Sequence, residues 1–238
     1  MIQTNVCLKQ MTDRDTLMRP SMREQILEIA GQLFAERGYD AVTVREICQR
    51  ARVNLSAINY YFGDKQSLYL EAVRTAARER LREFPMITWS PNDPPTEKLR
   101  QYIRNLLERV LLDRGADWHA QLIMAEVVKP TRACRRFVQE FIRPNFEVLL
   151  QLLREILPQK VPQAMLYHVA FSIVGQCVFY RLCGGIVRNL ASREVPGVLD
   201  LERLTQFISE FSLAGIRHLI RRWQRSHAGV GVAKEATK

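Results

Sequence analysis

The stretch NLSAINYYFGDKQSLYL, residues 54–70, gathers side chains whose chemistry is recognition. Asn54, Ser56 and Asn59 carry carboxamide or hydroxyl groups, Tyr60 and Tyr61 carry phenols, and Lys65 carries an ammonium. Groups of this kind bond phosphate oxygens or base edges, and a lysine adds a point charge beside a phosphate backbone. Tyr60, Tyr61 and Phe62 stand in a row although one helical face can bury only some of them. The question is what the outward-facing ones touch.

Such side chains act together only on a rigid element, and the flanking residues supply one. Ser21 and Glu24 form a capping box, and Met22, Ile26, Ile29, Ala30, Leu33 and Phe34 recur as one helical face that Gly38 stops. Thr43 and Glu46 repeat the box, and the stripe Val44, Ile47, Cys48 and Ala51 predicts a helix of about two turns behind it. Arg52-Val53-Asn54 forms a turn, Leu55 to Phe62 a third short helix, and a longer helix with Leu68, Ala72, Val73 and Ala76 follows Gly63-Asp64. Two short helices joined by a three-residue turn have the spacing of a helix-turn-helix, whose second helix lies in the major groove.

On that reading Val53, Ile58 and Phe62 face inward, Ser56, Asn59 and Tyr60 face outward, and Tyr61 sits between. Thr43 caps a helix N-terminus whose amides attract a phosphate, and Arg45, Arg52 and Lys65 add charge along the backbone. The candidate DNA-binding set is Thr43, Arg45, Arg52, Asn54, Leu55, Ser56, Ala57, Asn59, Tyr60, Tyr61 and Lys65. Pattern alone leaves a purely structural helix pair equally open.

Composition narrows the partners. The 238 residues, 47% hydrophobic, suffice for a sizeable core, and 35 Lys and Arg against 25 Asp and Glu give +10, which favours a polyanion. Cys7, Cys48, Cys134, Cys177 and Cys183 are odd in number with no CxxC pair, so neither a disulfide framework nor a zinc knuckle is indicated. The first twenty residues hold no apolar signal core, and a reducing cytoplasm is the expected location. His119, His168, His218 and His227 stand in no metal-ligand spacing, and no P-loop, GxGxxG or GxSxG occurs. The sequence predicts no enzyme, no metal and no cofactor.

PMITWSPNDPP, residues 85–95, breaks the helical pattern. Beyond it helices are predicted over 96–112, 118–128, 132–157, 163–190 and 201–225, with a kink at Pro144 and soft points at Gly175 and Gly184-Gly185. The fold class is all-α. The expected domains are a flexible arm over 1–20, the helix-turn-helix domain over 21–70, a larger helical domain over 71–226, and a disordered tail over 227–238. Residues 163–180 contain no Asp, Glu, Lys or Arg and are apolar on every side, which predicts a helix buried all round. The run is too short for a membrane span. A rival reading, a basic membrane-surface or interaction module, rests on Arg217, Arg221, Arg222, Trp223 and Arg225 near the C-terminus.

Residues 21–70 resemble the DNA-binding domain of the TetR family of bacterial repressors, through LFAERGYDAVTVREIC, the turn at Ala51-Arg52-Val53, Ile58, Tyr61-Phe62, Lys65 and Leu68. AINYYFGDKQSLYL, AEVVKPT at 125–131 and FSLAGIRHLI at 211–220 resemble the CecR-like subgroup. Two positions depart from the family pattern. Arg52 stands where Gly is usual, and a positive φ there costs Arg about 1 kcal/mol; Asn59 stands where Tyr is commonest.

The resemblance makes residues 71–226 a ligand-binding and dimerisation domain, and implies a homodimer through the last two long helices, a double-stranded palindromic operator and a small-molecule effector that shifts the dimer between two reader spacings. Such a switch needs about 5.5 kcal/mol of discrimination by the effector, with the helix from Lys65 to Arg82 as the lever. Met86, Trp89, Trp118, Gln121, Leu122, Met124, Phe171, Cys177 and Tyr180 are the candidate pocket lining, with plain core as the alternative for each. Glu126, near Lys129 and Arg132, is read as a polar anchor or, more readily, an ordinary ion pair.

Overall fold

The computed structural model describes residues 20–112, 117–191 and 193–235, and the expected N-terminal arm lies outside them but for its last residue. Every element among the described residues is helical. They form two compact units: the chain up to Ala77 with Gln121–Cys134, and Arg78–Ala120 with the chain from Arg135 on.

In the first unit, α1 (Met22–Ala41) starts on a closed capping box: Ser21 N donates to Glu24 Oε2 at 2.8 Å and Glu24 N donates to Ser21 Oγ at 3.2 Å. Gly38, at φ +77, interrupts it. α2 (Val44–Ala51) is capped by Thr43, whose Oγ1 accepts from Glu46 N at 3.2 Å. The second box is only half made, because the Glu46 carboxylate pairs with Arg37 instead of turning back to Thr43. α3 (Leu55–Phe62) is capped by Asn54, which accepts from Ala57 N at 3.0 Å, and ends at Gly63 with φ +81. Asp64 Oδ1 then accepts from Ser67 N at 2.7 Å at the start of α4 (Lys65–Glu83). Ile26, Leu33, Phe34, Ile47, Ile58 and Leu68 are fully buried, and Gln25 and Arg23 tie α1 to the Ala51 carbonyl and to Glu71.

The other unit is organised on α5 (Pro95–Leu111). It packs against α8 (Arg143–Ile156), α9 (Gln163–Leu182) and α11 (Leu201–Glu235) over a core that includes Leu99, Ile103, Leu107, Leu149, Leu153 and Ile173. α6 (Asp117–Val128) has residues in both units, and α7 (Cys134–Phe137) runs into a π-helical turn, Val138–Ile142. That turn ends just before Pro144, the predicted kink, where the missing N–H and the ring disturb the helical ladder.

Three sequence expectations change here. The helix predicted over 163–190 is two helices: α9 stops at Leu182, and α10 (Gly184–Ala191) leaves at 75°, the pair of glycines offering little resistance to a break. α11 continues past Arg225 to Glu235, through most of the residues expected as a disordered tail. Most important, α9 is not buried all round within the single chain. Leu166, Val169, Ala170, Ile173 and Cys177 enter the core, while Phe171 is 56% exposed and Phe179, two turns on, is exposed too. α11 behaves alike, with Ile208 and Ile216 inward and Phe207 and Phe211 outward. This chain's own core accounts for only one side of each helix. Among the described residues no single helix is long and apolar enough to cross a membrane.

Candidate nucleic-acid interface

The α3 seam fixes which side chains are free. Ile58 and Phe62 are buried and Val53 is half-buried, so Ser56, Asn59 and Tyr60 lie on the open face. Tyr60 is 83% exposed; Tyr61, at the border, meets its ring edge-on at 5.0 Å between centroids. The Arg23 guanidinium sits 5.2 Å from the Phe62 ring centroid and helps pin the helix from behind. Of the three adjacent aromatics, Phe62 is core, Tyr61 is border and Tyr60 faces solvent.

Around this face, Thr43 and Arg45 are exposed at the start of α2, and Leu55 and Ser56 at the start of α3, with Ala57 half-buried. Ser56 Oγ donates to the cap oxygen of Asn54 at 2.6 Å, so one of the candidate hydroxyls also stiffens the turn. Lys65 Nζ stands 4.3 Å from the Tyr39 ring centroid, a cation–π contact that restricts where the ammonium points. Tyr39 meets Phe34 at 6.1 Å and Tyr69 at 4.9 Å.

Arg52 adopts the left-handed conformation, φ 53 and ψ 42, the one non-glycine among the described residues with positive φ. Its Cβ meets the following carbonyl there, a strain that glycine escapes. Arg52→Gly should therefore raise stability by about 0.5–1 kcal/mol, glycine's extra chain entropy offsetting part of the relief. The same change should weaken DNA binding and lower its salt slope by about 1 if the guanidinium meets a phosphate. A thermal midpoint that falls in R52G would contradict the strain argument.

Sequence reading missed the best-built polar group of this unit. Glu126, expected as an anchor or an ion pair, is fully buried and meets no cation among the described residues. Tyr69 Oη donates to its Oε2 at 2.6 Å, Thr131 N donates to Oε1 at 2.9 Å, and Thr131 Oγ1 lies 3.0 and 3.1 Å from the two oxygens. Lys129 turns instead to Asp40, at 3.0 Å. Burial, and after it the hydrogen bond to Glu126, push the Tyr69 phenol well above the ordinary tyrosine range, so it remains a donor. The only local signal was a Glu near a helix end followed by Pro130-Thr131; the partner on α4 is 57 residues away.

The nine candidate pocket residues do not share one setting. Gln121, Leu122 and Met124 belong to the unit with the short helices and the other six to the second unit. Leu122 and Cys177 are fully buried, Trp118 is buried, Trp89 and Tyr180 pack on the second core, and Met86 and Phe171 are exposed. Burial pushes the Cys177 thiol up to about 12. Two cavities, one beside Tyr39 and Tyr69 and one between α9 and α11, are lined by none of the nine.

Two capped short helices presenting a polar face over a buried seam define a helix-turn-helix DNA-binding protein. Residues 26–72 match the family model for bacterial regulatory proteins of the TetR family, and residues 95–216 match that for the C-terminal domain of the HTH-type transcriptional dual regulator CecR. The chain belongs to the TetR family of transcriptional regulators, on its CecR-like branch. It is 25% identical over 178 residues to CecR of Shigella flexneri, covering 70% of this chain and 78% of that protein. It is 42% identical over 55 residues to the transcriptional repressor AcnR of Corynebacterium glutamicum, a match confined to 23% of this chain and 29% of AcnR. A TetR-like regulator from Rhodococcus sp. RHA1 shares the fold, with a TM-score of 0.53 at 16% identity over 84% of this chain and 97% of that one.

Proposed function

We propose that this DNA-binding regulator works as a homodimeric repressor that reads a palindromic operator and is released by a small apolar or aromatic effector. The observation that carries the reading is the exposed Ser56/Asn59/Tyr60 face on the buried Ile58–Phe62 seam. Residues 21–70 form the reader: Asn59 selects bases, and Thr43, Arg45, Arg52, Asn54, Ser56, Tyr60, Tyr61 and Lys65 fix its register on the backbone, with Leu55 and Ala57 in apolar contact. The outward apolar sides of α9 and α11 meet a second copy, because one short reading helix covers only a few base pairs and a two-fold dimer doubles the contacts. The relatives' names support regulation and repression as the class of activity.

Operator fragments selected from genomic DNA by the full-length protein test the reader. Lys65→Ala and Tyr60→Ala are expected to weaken binding to all sequences alike, with Lys65→Ala lowering the salt slope by about 1. Asn59→Ala is expected to relax choice at its own base pair by about 1–3 kcal/mol and to spare non-specific binding. Unaltered isotherms in all three variants would remove α3 from the interface.

A further inference from the structure

Within the reader's own unit lies a cavity of about 830 Å³, the size of a drug-like ligand. Its charged lining is lopsided: Arg37, Lys129 and Arg132 stand against Asp40 alone. Arg37 is engaged by Glu46. Lys129 pairs with Asp40, but the side chains are 82% and 76% exposed, and a pair so open to water and salt is easily exchanged for a better one. Arg132 has no carboxylate partner among the described residues. Glu126 does not restore the balance, since it is not part of the lining and its oxygens are taken up by Tyr69 and Thr131. The remaining wall includes the half-buried ring of Tyr39, while Tyr69 contributes only the 2% of its surface that is open and its hydroxyl is given to Glu126.

We propose that this cavity binds a small aromatic acid, its flat body against Tyr39 and its anionic group between Lys129 and Arg132. A carboxylate or phosphate there gives one weakly paired and one unpaired cation charge-assisted hydrogen bonds, and the Tyr39 ring supplies apolar area. The site is built from the first turn of α4, the end of α1 and the segment after α6, and is separate from the α9–α11 cleft. Its consequence, though not its existence, rests on the proposed reader. Tyr69 and the Lys65-bearing Tyr39 both line the cavity, so an occupant touches the residues that aim the phosphate-contacting ammonium.

The test titrates 2-naphthoate and its neutral counterpart 2-naphthamide into the full-length protein by calorimetry, alongside Lys129→Gln, Arg132→Gln and Val128→Trp. The acid should bind about tenfold more tightly than the amide, and each Gln variant should remove about that factor for the acid alone. Val128→Trp, which fills part of the lining from an exposed position, should block both. Equal binding of acid and amide, or acid binding indifferent to all three variants, would overturn the proposal. So would Gln variants that keep naphthoate binding but lose affinity for DNA, since the cations would then belong to the duplex. The calorimetry uses no operator, so failure of the reader hypothesis leaves its result standing, and the converse holds.

Discussion

Replacing Phe207 and Phe211 by Asp should yield a folded chain that scatters light as a monomer and binds its full operator about 100-fold more weakly or worse, while its affinity for a single half-site stays unchanged. The two rings stack at 6.0 Å between centroids on the open side of α11 and are 59% and 62% exposed in the single chain, so an aspartate at either position is already in water and costs the fold little. In the proposed dimer the same positions are covered. Each carboxylate would be buried without a partner, a penalty of several kcal/mol, and symmetry doubles the count. The loss of operator affinity follows from arithmetic, because a second reader tethered to the first contributes an effective concentration worth about 10²–10⁴ in affinity without any new contact. A double variant that remains a dimer at micromolar concentration, or one that loses half-site and full-site binding equally, would place the oligomeric contact elsewhere.

That face also shows where sequence reading stops. The absence of charge from residues 163–180 signals burial, but composition cannot say whether the burying surface is the chain's own core or another copy, and only the family resemblance pointed to the second copy. Local features were legible. Asn54, Thr43 and Gly63 fix the ends of α2 and α3 by hydrogen bonds and backbone angles spanning three or four residues, so their types and spacing contain the answer. The left-handed conformation of Arg52 was legible only through the family resemblance, since glycine is usual at its position.

Features decided by distant partners were not. Glu46 has the spacing of a capping box, yet Arg37, from the preceding helix, takes its carboxylate. The return of Gln121–Cys134 to the unit of the short helices leaves no mark in hydrophobic period, because α6 is one uninterrupted helix across the change. Cavity placement likewise depends on distant partners: one cavity lies where α1 and α6 end and the other along the middle of α9 and α11, and side chains other than the nine line both.

Glu126 is the strongest case of a distant partner, and Tyr69→Phe is expected to destabilise its unit by about 1.5–3 kcal/mol, the worth of one hydrogen bond to a buried charge. The substitution removes only an oxygen, and the ring contacts with Phe34 and Tyr39 remain possible, so packing does not explain the loss. Glu126→Ala should cost about 3 kcal/mol or more, since it strands the Tyr69 hydroxyl and the Thr131 N–H and leaves a cavity besides. Glu126→Gln should fall between them: its oxygen can still accept from Tyr69, but its NH₂ then faces the Thr131 N–H, donor against donor. The double variant Tyr69→Phe with Glu126→Leu separates charge from packing, because removing both polar partners together leaves less unsatisfied than removing either, and its loss should be smaller than the sum of the single losses by about 1 kcal/mol. Trp89, Trp118 and Trp223 all lie in the other unit, so their fluorescence is a poor reporter of this one. Hydrogen exchange of α4 and α6 amides at fixed protein concentration reads the unit directly, a tenfold loss of protection corresponding to about 1.4 kcal/mol. Additive losses in the double variant would mean that Tyr69 and Glu126 stabilise the unit separately and that the carboxylate is held by Thr131 alone.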